Sequence, residues 1–552
     1  MTDTRTPKKK NVLFLFCDQL RHDCLGYAGH PLVKTPNLDR LARQSVNFSN
    51  AYTSTPLCVP ARHSLMTGLR NGTHRHARLK PIPGVIPELP SFMGAMMQSG
   101  YVTKAVGKTH FKGRHYGFES IDRMEECVDS ITDDDYLLYL RDNGVGTRFQ
   151  HGMRDLLYYQ PQTLPTPLEH SPSEWIADRS ITFMRDHVRY KPDQPFLLFS
   201  SYVYPHPPFA ASEPYASMYD PADIPMPIDI DRPMDELPTG ALKHRGRLDG
   251  AHHDPDRMRR IMALYFGLIS HVDACIGRTL DDLDRLGLSD NTVILFSADH
   301  GEMLGDHGLS QKNVPFDPSV RVPFLVKWPG RSLEAHEDVG FASLLDVFPT
   351  LADGLDLAPQ TTRDALAGQS LMDRLSGTGD APEDFVVDYG YRDDRWLSLR
   401  TRDFKYNYWY AEGFEELYDL RNDPGEATNL LLQDRVSVAH GRQAESMKTA
   451  LLDWERRFGF PEDLDGDAFP VFAAPPRPAS EESLRHIEFN MGKWADMLPA
   501  DEANQIDDEA SAITKALAAE TTVTRASISV GLWEDSGRHL AGTPLAPIRE
   551  GR

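Results

Sequence analysis

Residues 56–69 read PLCVPARHSLMTGL. From Pro60 onward this is a helix-forming run, with Leu65 and Leu69 on one face and Gly68 near its end. Proline suits the first helical position, where its missing N–H costs nothing. Cys58 is therefore expected at a helix N-terminus, where free N–H groups and the macrodipole favour negative charge. Such a place lowers a thiol pKa and holds an oxyanion. Arg62, one turn on, adds a planar fork suited to a tetrahedral oxyanion. Taken alone, C-x-x-x-R also describes a buried structural cysteine beside a surface arginine. The spacing is too short for the loop of the thiol phosphatases.

Outward from this loop, apolar runs end in chemistry-bearing residues. Residues 11–16 form a continuous apolar run, as in a strand buried on both faces of a parallel sheet, and lead into Asp18 and Gln19. Residues 101–106 read as a short strand followed by Gly107-Lys108-Thr109-His110. Side chains alternate along an extended segment, so Lys108 and His110 are expected on one side, a pairing that suits a sulfate or phosphate ester. Residues 195–202 read as another buried strand, then Pro205-His206-Pro207-Pro208-Phe209, whose prolines stiffen the loop around His206. Residues 292–296 are the next, ending in Ser297-Ala298-Asp299-His300-Gly301-Glu302. Ligands gather at the carboxyl ends of strands in open α/β sheets. If the strands neighbour each other, Asp18, Asp299 and His300 converge on a site for a hard divalent cation, with the imidazole tilting preference towards manganese or zinc.

The remaining segments frame these motifs. Residues 258–286 are amphipathic at helical spacing, with Asp273 read as structural, and 173–188 are also helical. Residues 117–173 read as an irregular polar insertion on the site face, and 211–256 as a long loop at its rim. Residues 303–313 (MLGDHGLSQKN) carry Lys312, while Glu302, Asp306 and His307 are expected to hold that loop. A strand is expected over 319–329 and a helix over 341–355. From about residue 381 the pattern changes to short strands at 385–389, 396–400 and 404–408, which suggests a small antiparallel sheet, with a helix over 437–457 packed on it. Beyond residue 460 come a proline-rich segment (469–478), helices at 481–497 and 501–519, and a strand at 528–533. This tail is too poor in apolar residues for its own core and is expected to wrap the domain or a second subunit. The expected division is 1–380 for the catalytic domain, 381–460 for a C-terminal α+β subdomain and 461–552 for an oligomerisation arm.

Size and charge narrow the function. The chain has 552 residues, 40% of them hydrophobic and 25% charged, as in a globular protein. With 59 Lys+Arg against 81 Asp+Glu, the net charge is −22, which argues against nucleic acid or an anionic membrane as a partner. An anionic substrate then needs a local basic site. The start, MTDTRTPKKKNVLFLF, lacks the longer apolar core and small-residue cleavage site of a signal peptide, and no apolar stretch is expected to span a bilayer. Five cysteines (Cys17, Cys24, Cys58, Cys127, Cys275) imply no disulfide framework, so a reducing cytoplasm is the expected home.

The longer patterns carry a family resemblance. C-x-P-A-R with the following S-L-M-T-G-L, the segment T-P-N-L-D-R-L-A at 35–42, G-K-x-H at 107–110, P-H-x-P-F at 205–209 and S-A-D-H-G-E-M-L-G-D-H-G-L at 297–309 together resemble the type I sulfatases of the alkaline phosphatase superfamily. The resemblance covers roughly residues 10–460, with E-E-L-Y-D-L-R-N-D-P-G-E-A-T-N-L-L at 415–431 matching the family's C-terminal subdomain. It implies an α/β fold with an alkaline-phosphatase-like, mostly parallel central sheet flanked by helices, and the small α+β subdomain. It further implies that Cys58 is converted to formylglycine (3-oxoalanine) by a formylglycine-generating enzyme, and that the hydrated aldehyde attacks sulfur. Its second hydroxyl then expels sulfate and restores the aldehyde.

By the same resemblance Asp18, Gln19, residue 58, Asp299 and His300 hold one divalent cation, calcium with manganese or magnesium as alternatives. Arg62, Lys108 and Lys312 offset charge on the sulfate oxygens, and His110 or His206 protonates the leaving alkoxide. Many sulfatases carry two adjacent acids after the first strand and Asp-Asn after the later one. Asp18-Gln19 and Asp299-His300 look more like the phosphonate monoester hydrolase and choline-sulfatase-like branches. The implied activity is hydrolysis of a small sulfate ester by a homo-oligomeric enzyme. The alternatives are a phosphonate monoester or phosphodiester hydrolase, a thiol enzyme using Cys58 as it stands, and a non-catalytic anion-binding protein.

Overall fold

The computed structural model describes residues 9–480 apart from 80, 83–88, 112–113, 127–130, 146–158, 160, 165, 249, 358–365 and 433–434. The first strand, β1 (Asn11–Asp18), is buried at every position. It accounts for the continuous apolar run, because it lies between two parallel neighbours inside a sheet covered on both faces. The other strands of this eight-stranded sheet are β2 (Val46–Tyr52), β3 (Val102–Gly107), β4 (Ser120–Arg123), β6 (Phe196–Pro205), β8 (Thr292–Ala298), β9 (Phe324–Lys327) and β10 (His336–Ser343). A two-stranded pair, β5 (Gln162–Thr163) and β7 (Ala210–Ala211), stands apart from it. The sheet order is β10-β2-β9-β8-β1-β6-β3-β4, with only β9 antiparallel to its neighbours.

This order positions the site. Strands β8, β1, β6 and β3 are adjacent and parallel, with Cys17 level with Ala298 on one side and with Tyr202 on the other. Their carboxyl ends run into Asp299, Asp18, His206 and Lys108. The four apolar runs therefore deliver their polar ends to one edge, where open α/β sheets bind ligands.

Helices Pro172–Tyr190 and Pro255–Arg285 cover the sheet, the second with 31 residues. Among the described residues it is the one helix long and apolar enough to cross a membrane, and 89% of its apolar window is buried inside this protein. Asp273 on this helix accepts from the N–H groups of Asn37 (3.2 Å) and Leu38 (2.8 Å), capping the helix Pro36–Ala42. Tyr265 on the same helix donates to the Gln19 carbonyl (2.8 Å) and accepts from Arg21 N–H (2.9 Å), fixing the turn after Asp18.

The C-terminal sheet is antiparallel and has four strands: β11 (Asp384–Tyr389), β12 (Trp396–Thr401), β13 (Phe404–Trp409) and β14 (Phe414–Asp419). Helix Val438–Phe458 packs Met447 and Leu451 against Leu397, Leu399 and Tyr406 on one face. The other face sets Val387, Trp396 and Trp409 against Leu57, Met303 and Phe316, which belong to the part of the chain built around the eight-stranded sheet.

Several sequence expectations are corrected. The strand expected over 319–329 is shorter, because Asp317–Val320 forms a helical turn and only Phe324–Lys327 pairs. The helix expected over 341–355 begins only at Val347. Residues 341–343 belong to β10 and pair with β2, and Ser343 and Asp346 close a capping box that starts the turn. Strands β4 and β14 were not anticipated, β4 lying inside the expected irregular insertion. The helices at 481–497 and 501–519, the strand at 528–533 and most of the oligomerisation arm lie outside the described residues.

Candidate active site

The helix that carries Cys58 runs from Cys58 to Thr67, and all ten of its residues are buried. Cys58 is its first residue and Pro60 its third, a shift from the expected start at Pro60. Pro60 still falls among the positions whose N–H groups lack an intrahelical partner.

Asp18, Cys58, Asp299 and His300 each direct a donor atom into one buried cluster, with all four atoms within 4.8 Å of one another. Cys58 Sγ lies 3.3 Å from His300 Nε2 and 3.9 Å from Asp18 Oδ1. His300 Nδ1 is 3.0 Å from the Gly301 carbonyl. A carbonyl only accepts, so Nδ1 carries the proton and Nε2 turns its lone pair into the cluster. Burial lowers the His300 pKa to about 4, keeping the ring neutral. Two carboxylates and a neutral imidazole nitrogen around one point fit a divalent cation, and Gly301 orients the ring as the outer partner of a metal-ligating histidine does.

Arg62 serves a different purpose from the expected open fork. It is fully buried, and Nε donates to Asp299 Oδ2 (2.9 Å) while Nη2 donates to Asp18 Oδ2 (3.3 Å). Nη1 donates to the Lys108 carbonyl (2.8 Å) and Ser201 Oγ (2.9 Å), and the guanidinium covers the Phe16 ring at 5.2 Å. The fork is thus engaged by the two carboxylates and sets their orientation. Burial, and then the Asp18 carboxylate, push the Cys58 thiol up, against the pull of Lys108 and Lys312. That reverses the expected thiolate, because burial outweighs the helix terminus. Asp18 itself would be raised by burial, but Lys108, His206 and Arg62 hold its carboxyl well below the usual range.

Lys108 pairs with both Asp18 and Glu126. His206 Nε2 lies 3.4 Å from Glu126 Oε1, and its Nδ1 donates to the Pro207 carbonyl at 2.6 Å. Asp18, Cys58, Glu126 and His206 form a second group within 4.8 Å that shares two members with the first. His110 departs from the expected alternation. Strand β3 ends at Gly107 and His110 takes a left-handed backbone (φ 55°), its N–H donating to Glu125 Oε1 at 2.8 Å.

Gln19 bridges the two halves of the site. Its N–H donates to Asp299 Oδ1 (3.1 Å), its side-chain amide donates to Glu302, and its amide oxygen accepts from Lys312 Nζ. Glu302 also accepts from Tyr159 OH (2.7 Å), Leu304 N–H (2.9 Å) and Gln311 N–H (2.6 Å), so it braces the loop that carries Lys312. Asp306 pairs with Arg21 at 2.8 Å.

Glu126 and Tyr159 escaped the sequence reading. Both fall in the stretch taken as irregular, and no local pattern marks them. Only the pairing of β4 with β3, which sets Arg123 beside Gly107, brings Glu126 next to Lys108. A third group, Glu174, His271 and Cys275, lies between two helices and is closed by Arg278 on Glu174, so it acts as a hydrogen-bonded tie.

A buried carboxylate–imidazole cluster beside a buried cysteine, with lysines at its border and on this sheet order, fits a hydrolase of the alkaline phosphatase superfamily acting on anionic esters. The sequence matches the Sulfatase family over residues 10–357, and the N-sulphoglucosamine sulphohydrolase C-terminal family over residues 305–453. The chain belongs to the sulfatase family, whose members hydrolyse sulfuric esters. It is 31% identical over 456 residues to an arylsulfatase of Clostridium perfringens, an alignment covering 77% of this chain and 90% of that one. It is 29% identical over 505 residues to a choline-sulfatase of Rhizobium meliloti, covering 87% and 96%. The crystal structure of the phosphonate monoester hydrolase of Agrobacterium radiobacter superposes with a TM-score of 0.68 at 26% identity, covering 82% of this chain and 96% of that one.

Proposed function

We propose that this enzyme hydrolyses a small monoanionic sulfate ester, R–O–SO₃⁻ + H₂O → R–OH + SO₄²⁻ + H⁺, with residue 58 as formylglycine. The observation that carries the reading is the meeting of Cys58 with Asp18, Asp299 and His300 at the ends of adjacent strands. A formylglycine at position 58 supplies, as its hydrate, the nucleophilic hydroxyl. A divalent cation held by Asp18, Asp299, His300 and residue 58 supplies Lewis acidity, offsetting negative charge on the sulfate. The carboxylates favour calcium, with manganese or magnesium as alternatives.

The chain's own residues do the rest. Arg62 holds Asp18 and Asp299 in register with each other. Lys108 and Lys312 offset charge on the non-bridging oxygens. His206 protonates the leaving alkoxide, supported by its place in the group that includes Cys58, which His110 does not share. Burial of the Cys58 thiol speaks against direct use of a thiolate. Maturation requires a formylglycine-generating enzyme. The four described cysteines are free thiols, which supports the cytoplasmic reading, and residues 461–552 are the proposed oligomerisation arm.

The test is turnover of an aryl sulfate by protein from a host that installs formylglycine, with mass spectrometry of the peptide bearing residue 58. Activity is expected to track the modified fraction, to vanish in Cys58→Ala and to be lost in EDTA. Full turnover with an unmodified Cys58, or with all cations removed, overturns the reading. An aryl phosphonate monoester run in parallel decides the alternative activity.

A further inference from the structure

The mechanism above leaves one buried charge without a task. Glu126 lies just beyond β4 and is only 9% exposed. Its segment is tied to the Lys108 loop at several points. Met124 N–H donates to the Gly107 carbonyl (3.3 Å), and Glu125 Oε1 accepts from Thr109 N–H (3.1 Å) and His110 N–H (2.8 Å). Glu125 N–H is in turn held by Asp134 Oδ2 at 2.7 Å. The Glu126 carboxylate therefore has a fixed place, against Lys108 Nζ and 3.4 Å from His206 Nε2, in the group that contains Cys58. Lys108 and His206 are two of the three groups, with Lys312, that the sulfate-ester reading sets on the substrate, and Glu126 faces both. Arg62 is already engaged by Asp18 and Asp299, so it adds no free positive charge.

We propose that Glu126 is the residue that restricts this site to singly charged esters. The proposal rests on the sulfate-ester reading. A sulfate monoester, a phosphodiester or a phosphonate monoester brings one negative charge to Lys108, which must be shared with Glu126. A phosphate monoester above its second pKa of about 6 brings nearly two. The added charge would lie within about 5 Å of the Glu126 carboxylate, and at the effective dielectric of such sites like charges at that separation cost tenfold or more in binding. The same repulsion acts on inorganic sulfate, which leaves as the dianion, so Glu126 also speeds product release.

The test compares Glu126→Gln, which removes the charge at nearly constant shape, with Glu126→Asp, which keeps it. All measurements use the full-length, formylglycine-bearing enzyme with its cation. At pH 8, E126Q is expected to raise kcat/KM for an aryl phosphate relative to an aryl sulfate by about tenfold or more, mainly through KM, and to lower the Ki of inorganic sulfate by a similar factor. E126D keeps the parent ratio and Ki. An unchanged ratio and Ki in E126Q overturns the proposal, as does a uniform fall in kcat on every substrate, which would make Glu126 part of the proton path or the scaffold. Calorimetric binding of inorganic sulfate to parent and E126Q reads the charge effect without turnover. If the parent hydrolyses no sulfate ester, the functional reading fails by itself, and tighter sulfate binding by E126Q still decides the role of Glu126.

Discussion

Arg62→Met should unfold this protein far more readily in the absence of a divalent cation than in its presence. The guanidinium lies between two fully buried carboxylates, at 2.9 Å from Asp299 and 3.3 Å from Asp18. At about 3 Å and an effective dielectric of about 20, each attraction is worth roughly 5 kcal/mol before desolvation. Burying the three charges cancels most of this, but removing only the guanidinium leaves Asp299 without its arginine and Asp18 with Lys108 alone, at a net cost of about 3–5 kcal/mol. Arg62→Lys keeps the charge and loses the bonds to the Lys108 carbonyl and Ser201, so its cost should be about 1–3 kcal/mol. A bound divalent cation takes up the same carboxylate charges and should return a large part of the R62M loss. The assay is urea unfolding of parent, R62M and R62K, each in EDTA and in saturating calcium. A loss below about 1 kcal/mol for R62M in EDTA refutes the clamp. Equal losses in EDTA and calcium refute the assignment of these two carboxylates to the cation.

Glu426 offers a pH test away from the site. One amine, Lys405, faces two buried carboxylates, Asp317 at 2.5 Å and Glu426, and Asp317 also faces Arg321 at 3.5 Å. Asp317 keeps its charge, while burial lifts Glu426 to about 7 against the pull of Lys405. The folded pKa lies above the unfolded one, so this stability is complete below the unfolded value near 4.3 and is lost as pH rises through about 7. Glu426→Gln, which has no such slope, should gain on the order of 1–3 kcal/mol relative to the parent between pH 5 and pH 8 in denaturant titrations; parallel pH curves would refute the argument. Trp396→Phe removes the 2.9 Å bond from Nε1 to the Asn313 carbonyl, next to Lys312, and should lower kcat/KM severalfold for about 1 kcal/mol of stability. A kcat/KM equal to the parent's would separate that bond from the placing of Lys312. Gly107 has φ +93°, and a Cβ there would run into the Ser201 carbonyl. Gly107→Ala should therefore cost at least about 1–3 kcal/mol and displace Lys108, read as a drop in both thermal midpoint and turnover.

The sequence revealed the strand ends and hid what links them. The apolar runs at β1, β6 and β8 are legible because a strand buried on both faces leaves no alternation to misread. Asp18, His206 and Asp299 follow those runs directly, so their shared edge could be anticipated. The role of Arg62 could not, because a fork suited to an oxyanion is equally suited to carboxylates, and only the adjacency of β1 and β8 decides between them. The ionisation of Cys58 was misjudged for a related reason, since a helix terminus is visible in sequence and full burial beside Asp18 is not. Glu126 depended on a four-residue edge strand of mixed polarity that carries no periodic signal.

Lys312 shows how far the site extends along the chain. Its loop has left-handed residues on either side, Gln311 (φ 68°) and Asn313 (φ 74°), a conformation that non-glycine residues hold only under external constraint. On one side the constraint is Glu302 and Tyr159, which both accept or share the Gln311 N–H. On the other it is the C-terminal sheet, through Trp396 on the Asn313 carbonyl and Lys405 on the Pro315 carbonyl at 3.0 Å. These bonds come from the sheet face that is packed on the catalytic region, while the opposite face is covered by the helix Val438–Phe458. The second sheet is thus part of what holds Lys312, the amine proposed to meet the sulfate, in a strained loop. That gives a physical reason for the placing of Lys312 against Gln19 to depend on strands that begin only at residue 384.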